Sequence, residues 1–85
     1  MATEFQIKEL MKKCNCNRDT ELSIVEKIAK AYDVVDLEGI YVMLAQFNQI
    51  VKSDARPHSM KITFTKEEEL QIPELLQKVA SVVKK

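Results

Sequence analysis

The side chains best equipped for chemistry are few and scattered. Cys14 and Cys16 flank Asn15, a lone histidine stands at His58 behind Pro57, and Glu67, Glu68 and Glu69 follow one another. A structural zinc takes three or four protein ligands, more than two cysteines at this spacing supply, and His58 is far along the chain. A disulfide across a single residue would be strained, and no third cysteine offers another partner. The expectation is two free thiols in a reducing cytosol, with a redox or metal role as the alternative. An enzyme needs a nucleophile with its base, positioned carboxylates or a metal cluster in a cleft. His58 reads instead as a solvent-facing loop residue, and the three glutamates read as a solvated helix start or turn. With one glycine in the chain, there is no phosphate-cradling loop. The sequence points away from catalysis, and no metal, cofactor or small-molecule substrate is expected.

Composition narrows the remaining classes. The chain has 85 residues, 46% of them hydrophobic, which is one small domain over residues 1–85 with a thin stability margin. Thirteen basic residues balance 13 acidic ones, whereas a nonspecific nucleic-acid binder draws most of its affinity from an excess of Lys and Arg. The charges are unevenly placed. Asp33, Asp36, Glu38 and Asp54 lie in the middle with only Lys52 against them, and Lys78, Lys84 and Lys85 make the tail basic. The first residues show no signal-peptide pattern, and no apolar run approaches the roughly 20 residues needed to cross a bilayer. No membrane role and a cytoplasmic location are the expectation.

The elements follow from apolar spacing. A first helix is expected over residues 3–14, capped by Thr3 with Gln6 three residues on, its face made of Phe5, Ile7, Leu10, Met11 and Cys14. A second starts at Asp19 or Thr20, either of which can cap it, and ends at Tyr32. Its stripe is Leu22, Val25, Ile28, Ala29 and Tyr32, with Ile24 on the margin. Asp36 caps a third, over residues 37–52, which is the most apolar stretch of the chain. Leu37, Ile40, Tyr41, Leu44, Phe47 and Val51 run down one side of it, while Val42, Met43, Ala45 and Ile50 widen the apolar surface. Gly39 in its first turn costs roughly 1 kcal/mol relative to alanine, which close packing can offset.

Residues 60–65 alternate apolar and polar, the period of a half-buried strand. Thr65 and Glu68 form a potential capping box for a helix that Pro73 would interrupt. The alternative, favoured slightly, is a hairpin in which residues 69–72 make the second strand and the last helix begins at Pro73. Leu75, Leu76, Val79 and Val83 are the core face of that helix in either case. The fold class is mainly α, with α+β as the variant: a compact bundle of four helices with a short β-hairpin or extended segment before the last.

Function is read from what this bundle leaves over. The surplus apolar surface of the third helix suits a small protein-protein interaction module, an adaptor, inhibitor, chaperone or regulatory subunit. The residues assigned to partner binding are Tyr41, Val42, Met43, Ile50 and Phe64, and the partner is another protein or a second copy of this chain. Aromatic side chains are the usual energetic anchors of such contacts.

A second reading rests on a resemblance. Ile28-Ala29-Lys30-Ala31-Tyr32-Asp33-Val34 resembles the first helix and turn of a helix-turn-helix module, with Ile40, Leu44 and Phe47 as the buried positions of its second helix. The resemblance covers about twenty residues and implies a winged-helix-like DNA-binding regulator. It departs from the motif at Asp33, where a turn glycine is common, and in a turn one residue too long before Ile40. The would-be recognition helix also opens with Asp36 and Glu38 and offers no Lys or Arg before Lys52.

Overall fold

The computed structural model describes residues 3–53 and 62–84. They form α1 (Glu4–Lys13), α2 (Asp19–Tyr32), α3 (Leu37–Ser53) and α4 (Lys66–Val83). No strand occurs among the described residues.

Each helix starts where a side chain satisfies the free amides of its first turn. Thr3 Oγ1 accepts from the Gln6 N–H at 3.2 Å, and Gln6 Oε1 accepts from the Thr3 N–H at 2.9 Å, the reciprocal pair the sequence predicts. Asp36 Oδ1 accepts from the Gly39 N–H at 2.7 Å and opens α3 as expected. The start of α2 differs from expectation. Neither Asp19 nor Thr20 is its cap; Arg18 is, and because that side chain has no acceptor, the Glu21 carboxylate reaches back to the Arg18 N–H at 3.1 Å.

The ends of α1 and α2 share one device. Asn15 and Asp33 both take left-handed backbone conformations, with φ of 56° and 54°, which short polar side chains tolerate. Behind α1, the Asn15 N–H donates to the Lys12 carbonyl at 3.2 Å and the Cys16 N–H to the Met11 carbonyl at 3.0 Å. Those two bonds are the Schellman pattern, and they fold the chain sharply back on the helix it has just left. Behind α2, the Val34 N–H reaches the Ala29 carbonyl at 3.2 Å. Val34 is thereby laid against α3, where a β-carbon on Gly39 would stand 2.5 Å from Val34 Cγ1 and 2.9 Å from Asp36 Oδ1. Close packing is therefore the reason for the chain's one glycine.

The hairpin is corrected. Residues 69–72 are helical, and α4 runs unbroken from Lys66 through Pro73 to Val83. Thr65 Oγ1 accepts from the Glu68 N–H at 3.2 Å and Glu68 Oε1 accepts from the Thr65 N–H at 2.7 Å. Three glutamates in the first turn complement the helix dipole. Glu68, Ile72, Leu75 and Val79 also make one buried stripe at helical spacing that passes straight across Pro73. That burial and the cap outweigh the missing amide, and the proline ring itself is exposed. Met60 and Lys61 of the expected strand, and His58, lie outside the described residues. Residues 62–65 form an irregular lead into the helix.

One core unites all four helices. Ile7 and Leu10 of α1 join Ile24, Val25 and Ile28 of α2, Ile40, Leu44 and Phe47 of α3, and Ile72, Leu75 and Val79 of α4. Ile24, expected at the margin, is fully buried, whereas Phe5, expected inside, is 72% exposed. α4 runs opposite to α3, as Lys84 lies over the Tyr41 ring at one end and Phe64 meets Phe47 at the other.

Candidate functional site

α3 turns Ile40, Leu44 and Phe47 into the core, with Leu37, Tyr41, Met43, Ile50 and Val51 partly buried against it. Val42 is 51% exposed, and Val35, just ahead of the helix, is 46% exposed. Glu38, Gln46 and Gln49 share the outward side of α3 with Val42, and Val35 precedes the helix. The face presented is polar around the single exposed Val42, with the acid Glu38 at its N-terminal end.

The other residues assigned to partner binding do not join Val42 in one patch. Successive residues advance roughly 100° around a helix, so Tyr41 and Met43 fall on opposite margins of α3. Tyr41 is half-buried beneath Lys84, whose Nζ lies 5.2 Å from the ring centroid. Met43 and Ile50 are half-buried and pack on the core. Phe64 is 5% exposed. Its ring stands edge-on to Phe47 at 5.1 Å, and Phe47 in turn meets Tyr32 at 6.0 Å. This aromatic row fastens the segment entering α4 to α2 and α3.

Two buried carboxylates escaped the sequence reading. Glu21 is fully buried and Glu68 nearly so. Glu68 accepts from Lys27 Nζ at 2.6 Å and from the Ser23 hydroxyl at 2.5 Å, while Glu21 accepts from Lys78 Nζ at 2.8 Å. Both pairs cross between α2 and α4. For Glu68, burial pushes the carboxyl upward, but hydrogen bonds from Lys27, Ser23 and the Thr65 N–H outweigh it and hold the group at about 2. Burial acts in the same sense on Glu21, and the Lys78 hydrogen bond, the Arg18 N–H and the Lys78 charge bring it below the ordinary carboxylate value. Both acids are ionised and fully engaged, which suits them to joining helices and leaves neither poised to move a proton near neutrality. The capping-box spacing marked Glu68 as a cap. Nothing along the sequence showed that the same carboxylate would meet α2.

Cys14 and Cys16 also differ from expectation. The left-handed turn at Asn15 brings their Cα atoms to 5.4 Å and joins their sulfurs in a disulfide. Both are buried. Cys16 lies at the bottom of a groove of about 250 Å³ between α1 and the start of α2, beside Met11 and Leu22 and rimmed by Lys8, Lys12 and Arg18. Cys14 borders a separate hollow of about 330 Å³ on the side of Lys78. No group of three or more His, Cys, Asp or Glu among the described residues is placed to hold a metal ion. No helix among them is long and apolar enough to cross a membrane.

Comparison with protein-family models, with curated proteins and with solved structures finds no match to this chain. What the chain defines by itself is a small four-helix bundle.

Proposed function

We propose that this bundle is a small protein-protein interaction module, an adaptor, inhibitor, chaperone or regulatory subunit that works by binding in the cytoplasm and not by catalysis. The observation that carries the reading is Val42, an aliphatic side chain 51% exposed midway along the most apolar helix, with Val35 beside its N-terminal end. Burying such a side chain against a partner stabilises the contact by about 1–2 kcal/mol. The acid Glu38, one turn before Val42 on the same face, favours a partner, or a second copy of this chain, that offers Lys or Arg there. Tyr41 on one margin and Met43 and Ile50 on the other would border such a contact, and Phe64 would hold the bundle in shape beneath it.

The test is sedimentation equilibrium over a wide concentration range, followed by affinity capture from the native host if the chain remains a monomer. Val42→Asp should abolish the association found while leaving the helical circular dichroism unchanged, because the side chain is already half in water. Association that survives Val42→Asp in a folded protein, or no association by either method, would sink the reading. The exposed residues of α3, Glu38, Val42, Gln46, Gln49, Lys52 and Ser53, include a single cation, which gives the DNA-binding alternative little support.

A further inference from the structure

A disulfide that closes a loop as short as Cys14-Asn15-Cys16 removes little chain entropy from the unfolded state, so it is a poor staple. The turn nonetheless holds the two cysteines at a Cα separation of 5.4 Å, well within the range a disulfide spans. The Schellman bonds from Asn15 and Cys16 to α1 are backbone bonds, independent of the oxidation state of the sulfurs. The pair is thus kept at closing distance whether reduced or oxidised. Cys16, itself 4% exposed, lines a groove that also carries Lys8, Lys12, Arg18 and the acid Asp19; of these cations Lys12 pairs with Glu9 at 3.8 Å and Arg18 with Glu74 at 3.5 Å. Cations near a thiol favour its thiolate, the form that attacks disulfides.

We infer that Cys14 and Cys16 are a reversible dithiol-disulfide couple, and that the cation-rimmed groove receives an anionic low-molecular-weight disulfide of the glutathione type. The chemistry balances without another reagent. The Cys16 thiolate attacks one sulfur of the small disulfide, forming a mixed disulfide and expelling one small thiolate. The Cys14 thiolate then attacks the Cys16 sulfur, closing the protein disulfide and expelling the second. The protein loses two S–H hydrogens and gains one S–S bond; the small disulfide is reduced to two thiols, which take up both protons. Excess small thiol drives the same steps backward. This couple goes beyond the interaction-module reading and does not rest on it, since the groove lies between α1 and α2 and Val42 lies on α3.

The experiment uses the full chain, reduced and then mixed with oxidised glutathione, with acid quenching, alkylation and intact-mass measurement. The expected product is lighter than the reduced protein by two hydrogens, takes up no alkylating agent, and reverts in reduced glutathione. Lys8→Gln with Lys12→Gln changes two exposed side chains and should slow closure by oxidised glutathione about three- to tenfold. The same double variant should react with the uncharged 2-hydroxyethyl disulfide at the unchanged rate. Thiols that stay alkylatable at every glutathione ratio, or a reaction that stops at the glutathione adduct, would overturn the couple. Equal effects of the double variant on the charged and uncharged disulfides would overturn the groove's part in it.

Discussion

The ammonium of Lys27 lies 2.6 Å from the carboxylate of Glu68, forty-one residues further along the chain, and that carboxylate is only 5% exposed. The same two oxygens of Glu68 cap α4 at Thr65 and accept from Ser23. One side chain therefore starts a helix and fixes it to its neighbour. Removing its charge leaves Lys27 beside a neutral group in a partly desolvated place, and Glu68→Gln should lower stability by about 2–3 kcal/mol in urea unfolding. A change below about 0.5 kcal/mol would mean that the pair is a surface contact of ordinary weakness.

Acid should act through the same group. The folded-state carboxyl of Glu68 titrates at about 2 against an ordinary value of 4.5. Because the folded value is the lower one, the stabilisation is fully present above about pH 4.5 and is lost as pH falls toward 2. Glu21 is displaced in the same direction and adds to the slope. Urea midpoints measured between neutral pH and pH 2 should fall steeply below about pH 4.5, and Glu68→Gln should flatten that fall.

Gly39→Ala should destabilise the protein by about 1 kcal/mol, although alanine is the better helix former by a similar amount. The added carbon would meet Val34 Cγ1 at 2.5 Å. Val34→Ala combined with Gly39→Ala should recover part of the loss, and thermal unfolding of the two variants and the single Val34→Ala control measures the coupling. Additive effects would show that Val34 is not what excludes the β-carbon.

Pro73 sits inside α4 on its exposed side. Pro73→Ala restores an amide donor to the helix and removes the ring's clash with the preceding turn, offset in part by a more flexible unfolded chain. The expected result is a gain of about 1–2 kcal/mol in urea unfolding. A loss would mean that a bend at Pro73 is needed to seat Ile72 and Leu75 together.

The order of elements was legible because it depends on neighbours in sequence. Thr3 with Gln6 and Asp36 before Leu37 announce helix starts through bonds three residues long, and Glu26 with Lys30 makes the ion pair its spacing predicts, at 3.5 Å. The hairpin misreading of residues 69–72 came from weighing Pro73 as a local breaker. The buried stripe of Glu68, Ile72, Leu75 and Val79 decided otherwise, and its worth depends on α2 and α3 being there to cover it. Phe5 shows the converse: it fits the apolar spacing of α1 yet stays 72% exposed, because Ile7 and Leu10 set which side of the helix faces inward.

By itself, then, the sequence determined four amphipathic segments, the caps of α1 and α3 and the apolar composition of the third segment, since these are properties of residues within a few positions of one another. Tertiary structure alone decided that Glu21 and Glu68 are buried against Lys78 and Lys27, that Phe64 fills the core while Val42 does not, and that Cys16 opens onto a basic groove. The physical reason is burial. Whether a carboxylate, a ring or a thiol is withdrawn from water depends on which distant helix is packed against it.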